Sequence, residues 1–224
     1  MHRNPAMNMI MREVLSQRGR TDVVKKVINQ PPPPNQPYRG SLIRRGRENC
    51  DVFINYRRAD TKRSVAPLLY DYLVRLGLNP FLDSKNMKPG DKLFDKINSG
   101  IMGCKIGVAV FSPRYCDSYF CLHELALIIA SKKKVIPIFC DIKPSELRVV
   151  DDGSCSAAEL KRFSSAIEEA KYTVGLTFDS LKGNWSDVIT NAADIVIKSL
   201  IEVEDEERRM RRQCSQIPFC DILP

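Results

Sequence analysis

Between residues 50 and 202, short apolar runs alternate with longer amphipathic stretches, and that alternation admits few folds. Cys50–Tyr56 (CDVFINY), Lys105–Phe111 (KIGVAVF) and Lys134–Cys140 (KVIPIFC) are strongly apolar and rich in β-branched and aromatic residues. Asn79–Asp83 (NPFLD) is shorter, with Pro80 marking an edge position, and Thr173–Phe178 (TVGLTF) is a fifth run. Near-continuous apolar strands of this length suit a parallel sheet covered on both faces. Between them, Val65, Leu68, Leu69, Tyr72, Leu73 and Leu76 recur at helical spacing, with Gly77 suited to the position after the helix end. Pro67 must then lie near that helix's start. Leu93, Ile97 and Ile101 outline a second helix; Leu122, Leu125, Ala126 and Ile129 a third; Ala157–Ala170 and Trp185–Ile201 two more. Five strands alternating with five helices predict a doubly wound α/β domain, for which 2-1-3-4-5 is a common strand order.

That order has a functional consequence. Ligands bind such sheets at the carboxyl ends of the strands, where the order reverses, here between strands 1 and 3. Two places are singled out: Asn55-Tyr56-Arg57-Arg58 after strand 1, and Phe111-Ser112 with the helix that follows strand 3. In that helix Phe120 and Glu124 are four residues apart and share a face. A ring can stack a planar heterocycle, and a carboxylate can stabilise a sugar cation as a glycosidic bond breaks. Tyr56 adds a stacking surface, and Arg57 and Arg58 add phosphate-binding charge. On spacing alone the plainer alternative, a solvated acid above a core ring, is the stronger one. As a crevice-facing acid, Glu124 is expected to contribute little to packing. Cys121 reads as a buried structural thiol, and His123 points about 100° away from Glu124.

Charge separates the flanks from the domain. The net charge is +8, and residues 1–49 hold ten Lys/Arg against three acids, whereas residues 50–202 are nearly balanced. We read residues 1–49 as a flexible basic arm with a Pro-rich spacer at Pro31–Pro34, residues 50–202 as the domain, and residues 203–224 as a tail. Such an arm can touch nucleic acid or an anionic surface. No run approaches the roughly 20 apolar residues of a membrane helix, and no apolar signal segment opens the chain. The eight cysteines form no CxxC and meet only two histidines, so no zinc set is expected. Reduced thiols in the cytoplasm or nucleus are the expected state.

Three motifs carry a resemblance. CDVFINYRRAD (residues 50–60) resembles DVF-[IL]-S-[FY]-R, the opening motif of Toll/interleukin-1 receptor (TIR) domains. FSPRYCDSYFCLHEL (111–125) is similar to the plant TIR pattern FS-x-x-Y-x-x-S-x-W-C-L-x-E-L, and KVIPIFCDIKPSELRV (134–149) to VIP-[IV]-F-Y-x-[VI]-x-P-S-x-[VL]-R. Together they span about 100 residues in the right order. With no P-loop and no leucine-rich repeat, the chain looks like a plant TIR-only protein. The resemblance implies a flavodoxin-like five-stranded fold. It implies cleavage of NAD, as substrate and with no cofactor or metal, to nicotinamide and ADP-ribose or its cyclic variants, in immune signalling. Glu124 falls on the family's catalytic glutamate, and Phe120 stands where Trp is usual. Tyr56, Arg57, Arg58 and Ser112 become substrate-binding candidates, and Asn55 stands where the pattern has Ser. The loop Asp83–Lys92 corresponds to one that gates the pocket and makes contacts between TIR domains. Self-association, and pairing with other TIR proteins, is therefore expected. Two other readings stay open: an adaptor that only pairs with TIR domains, and nucleic-acid processing to cyclic nucleotides.

Overall fold

The computed structural model describes residues 50–60, 65–153 and 155–214. The predicted arm at 1–49, and the tail beyond 214, lie outside them. The five strands are β1 (Val52–Tyr56), β2 (Pro80–Phe81), β3 (Ile106–Phe111), β4 (Lys134–Cys140) and β5 (Leu176–Phe178). They form one sheet in the order β2-β1-β3-β4-β5. Every pairing is parallel, and β1 lies directly against β3, with Asn55 opposite Ala109 and Tyr56 opposite Val110. The reversal of strand order thus falls where the alternation predicted it.

Helices cover both faces. α1 (Val65–Arg75) and α6 (Trp185–Cys214) lie on one side; α3 (Leu93–Gly103), α4 (Tyr119–Ala130) and α5 (Ala157–Lys171) lie on the other, with the four-residue α2 (Asp83–Asn86) after β2. Alternation along each strand divides the core between the two sides. Val52, Ile54 and Tyr56 of β1 pack with Leu69 and Leu73 of α1 and Ala192 and Val196 of α6. Phe53, one position on, packs with Ile97, Ile101 and Ile128 on the opposite side. All five β1 side chains are buried, and so are all six of β3, which is why neither strand alternates polar with apolar residues.

Local chemistry sets the element ends. Pro67 is the third residue of α1, where its missing N–H would have had no helical partner. Gly77 has φ +82°, the left-handed conformation that ends this helix, and Leu78 N–H returns to Leu73 O at 3.1 Å. Ser118 caps α4 by accepting from Cys121 N–H at 3.4 Å.

The structure corrects two spans. The fifth strand begins at Leu176, not Thr173. Thr173 instead closes α5, its N–H on Ala170 O and its hydroxyl on Glu169 O, and Val174 beyond it is exposed. The last helix does not stop near Ile201 but continues to Cys214, through the boundary expected at 202. Lys134–Glu202 and Lys105–Glu204 ion pairs, both 2.5 Å, tie this extension to the sheet.

Candidate functional site

The switch point between β1 and β3 holds a cavity of about 240 Å³. Asn55 and Tyr56 end β1, and α4 passes over them, starting from the Ser118 cap. Glu124 sits one turn into α4 and is 7% exposed. Its Oε2 accepts a hydrogen bond from Asn55 Nδ2 at 2.8 Å. Burial pushes the Glu124 carboxyl well above the ordinary carboxylate range; the nearby Asp83 carboxyl raises it further, and the Asn55 bond opposes both. Glu124 thus faces the cavity but is desolvated, and the plainer alternative of a solvated surface acid does not hold.

Phe120 lies in the same cavity, half-buried, with its ring 5.5 Å from that of Phe94. Tyr56 closes another wall, and its hydroxyl donates to Ser84 Oγ at 3.0 Å. Burial, and secondarily Asp83, keep that phenol protonated well beyond neutral pH. Arg58 also lines this cavity. Asp83, at the start of α2, is pushed up by burial, and the Arg58 charge and the Ser84 N–H draw it back down.

The remaining two site residues are elsewhere. Arg57 and Ser112 line an adjoining, smaller cavity at the ends of β1, β3, β4 and β5. There Asp60 joins them: Arg57 Nε is 3.5 Å from one carboxylate oxygen, and the Ser112 hydroxyl donates to the other. Consecutive residues leaving a strand point to opposite sides, so Arg57 and Arg58 are parted although adjacent in sequence. The structure brings Glu124, Phe120, Tyr56 and Arg58 together and sets Arg57 and Ser112 apart, with Tyr56 bordering both cavities.

His123 does not line the cavity; its Nε2 is 3.3 Å from Asn98 Oδ1 and its Nδ1 3.2 Å from Arg162. Cys121 is 3% exposed, and its thiol donates to Tyr56 O at 3.3 Å. Sequence reading assigned no part in holding Glu124 to three residues of the site: Asn55, Asp83 and Tyr115. One signal was available, since Asn55 is the sole amide side chain in the otherwise apolar VFINY. Asp83 opens the loop likened to the pocket gate and Tyr115 is a position of the FS-x-x-Y motif, but neither signal ties them to Glu124, because only the tertiary fold brings them there. Among the described residues no group of three or more His, Cys, Asp or Glu could hold a metal, and no helix is long and apolar enough to cross a membrane.

A carboxylate, a half-buried ring, a phenol and a guanidinium around a cavity of this size suit a cationic heterocycle joined to a sugar phosphate. The volume falls below the roughly 300–1,000 Å³ of sites that enclose a drug-sized ligand. A dinucleotide held here would extend beyond the cavity.

Comparison with known proteins gives a consistent set. The family model for the TIR domain matches residues 52–169. The probable 2′ cyclic ADP-D-ribose synthase BdTIR of Brachypodium distachyon is 44% identical over 192 residues, covering 78% of this chain and 86% of that protein. TMV resistance protein N of Nicotiana glutinosa is 28% identical over 173 residues, 70% of this chain but 15% of that much longer protein. Among solved structures, the TIR domains of the activated Roq1 resistosome superimpose with a TM-score of 0.56 at 25% identity, covering 66% of this chain and 99% of theirs.

Proposed function

This chain belongs to the TIR domain family, and on that premise we propose that it cleaves the nicotinamide–ribose bond of NAD, releasing nicotinamide and ADP-ribose or a cyclic form of it. The observation that carries this reading is the desolvated Glu124 carboxyl held in the switch-point cavity one helical turn from Phe120. The similarity to a protein named as a cyclic ADP-ribose synthase supports the substrate.

The chemistry follows from the charges. The C1′–N bond breaks with its electron pair moving to the pyridinium ring, which leaves as neutral nicotinamide. Positive charge passes to the ribose. A fixed carboxylate beside that ring, in a site with little water, stabilises the charge as it develops. Water then adds at C1′ to give ADP-ribose and a proton, or a hydroxyl of the same molecule adds to give a cyclic product. Phe120 and Tyr56 supply the faces against which the heterocycle packs, and Arg58 sits where it can meet the diphosphate. The cationic substrate favours ionised Glu124, against the burial that favours its protonated form.

The small cavity supports a composite site, completed by a second TIR domain when the chains associate. The Roq1 resistosome, an assembly containing TIR domains, is consistent with that arrangement. Relatives named as disease resistance proteins support a role for the products in plant immune signalling. Cys50, Cys104, Cys116, Cys121, Cys140 and Cys155 are free thiols, which supports a reducing cytoplasm or nucleus. A domain acting only as an adaptor has no use for a buried acid facing a cavity, and burying one without a catalytic return destabilises the fold.

The test is direct. Purified full chain is incubated with NAD and the products separated. Nicotinamide should appear in step with ADP-ribose or its cyclic isomer. Glu124→Gln should slow release roughly 100- to 1,000-fold. A folded Glu124→Gln protein that consumes NAD at the parent rate would refute the assignment.

A further inference from the structure

Asn55 is fully buried on β1 and ends in a two-sided polar contact. Its Nδ2 donates to Glu124 Oε2 at 2.8 Å and to the Cys121 carbonyl at 3.0 Å. Its Oδ1 accepts from the Tyr115 hydroxyl, which lies 3.1 Å from the same Cys121 carbonyl. Both functional ends of the amide are therefore engaged, and its orientation is fixed. Tyr115 is itself fully buried, its phenol pushed well above the ordinary value by burial, so it remains a donor at any working pH. An amide whose oxygen accepts a hydrogen bond becomes a better donor through its nitrogen.

We infer that Asn55, oriented by Tyr115, is a positioning residue for the reaction: it fixes Oε2 of Glu124, leaves the other carboxylate oxygen for the ribose, and favours the charged carboxylate against the burial around it. This rests on the reading of Glu124 as the catalytic carboxylate. The contact is tertiary rather than helical, since it joins the end of β1 to α4. It sets the carboxylate from beneath, whereas Phe120 borders the same cavity from the preceding turn of α4. A shorter side chain at position 55 cannot span from the strand to both Oε2 and the Cys121 carbonyl.

The other groups around Glu124 act on the same ionisation in known directions. Asp83 on α2 opposes it. Arg58, after β1, draws Asp83 toward its charged form. Tyr56 and Tyr115 are protonated phenols. From α3 the lining side chains are the apolar Leu93 and Ile97. Asn55 hydrogen-bonds the Glu124 carboxylate directly.

Loss of a hydrogen bond to a charged group reduces a rate by about 10- to 100-fold when that group acts in the transition state. The experiment compares Asn55→Ala and Tyr115→Phe with the parent and with Glu124→Gln, all as full chain. It measures kcat and KM for NAD against pH, and follows the Glu124 carboxyl by ¹³C NMR without substrate. Asn55→Ala should lower kcat by about 10- to 100-fold with KM within about threefold, because the contact orients the reacting group rather than the substrate. The acid limb of the rate, and the carboxyl midpoint, should both move to higher pH by about one unit. Tyr115→Phe should shift both in the same direction by less. A merely structural role moves neither the limb nor the midpoint. A folded Asn55→Ala protein with parental kcat and acid limb, beside an inactive Glu124→Gln, would overturn this inference alone. An active Glu124→Gln would overturn the catalytic reading and this inference with it. If Asn55→Ala fails to fold, Tyr115→Phe decides: an unmoved limb and midpoint in that protein overturn the inference.

Discussion

Replacing Glu124 by Gln should change stability as well as rate, and the sign follows from burial. The folded-state pKa of Glu124 is raised above its unfolded value. The native state therefore holds the proton more tightly than the unfolded chain. That contribution is fully present below about pH 4.3, the unfolded value, and is lost as pH rises through the folded pKa, at up to about 1.4 kcal/mol per unit. Glu124→Gln, a neutral isostere that can still accept from Asn55, should melt at a higher temperature than the parent near neutral pH. The gap should close as the pH falls toward the unfolded value. Thermal melts across that range check it; equal melting temperatures throughout would mean that Glu124 is better solvated than its 7% exposure implies. Asp83 offers the converse test. Its charge raises the Glu124 carboxyl, so Asp83→Asn should move the acid limb of kcat/KM to lower pH, opposite to Asn55→Ala. A limb that stays put would show that the two acids do not share a field. Glu124 and Phe120 were legible as a pair because four residues of helix suffice to align them. Their partners were not, because Asn55 is 69 positions away from Glu124 along the chain.

At the scale of elements, the edges are where sequence and structure part. The three central strands announce themselves through burial on both faces. β2 and β5 are only two and three residues long, and β5 is partly exposed, so apolar content overstates them. Gly175 shows what fixes the start of β5. A Cβ there would fall on the Pro137 carbonyl oxygen and lie 2.9 Å from Pro137 Cβ, so the β4–β5 approach depends on a bare backbone. Gly175→Ala should destabilise the fold by roughly 1–3 kcal/mol, as overpacking does. Urea denaturation monitored by circular dichroism measures this. A midpoint unchanged from the parent would mean that β5 can shift without loss. The extension of α6 beyond Ile201 belongs to the same scale. The sequence reads as a tail from residue 203, but Glu202 and Glu204 meet Lys134 and Lys105 near the amino ends of β4 and β3, and the helix persists.

For the molecule as a whole, a cavity of about 240 Å³ borders only part of a dinucleotide. If a second chain completes the site, NAD turnover per molecule should rise with protein concentration and level off once association is complete. Initial rates from nanomolar to tens of micromolar protein measure this, with sedimentation at matching concentrations. A specific activity constant across that range would place the whole site within one chain. What the sequence determined alone was whatever depends on short-range periodicity: the strand and helix alternation, the parallel sheet with strands 1 and 3 adjacent, and the helix that carries Phe120 and Glu124. What only the tertiary structure decided was the electrostatic state of that glutamate, which depends on water excluded by the surrounding elements, on Asp83 across the cavity and on an amide from β1. It also separated Arg57 from Arg58. Both are basic residues after the same strand, and whether each one's charge meets Asp60 or the Glu124 cavity depends on the direction in which the backbone leaves β1.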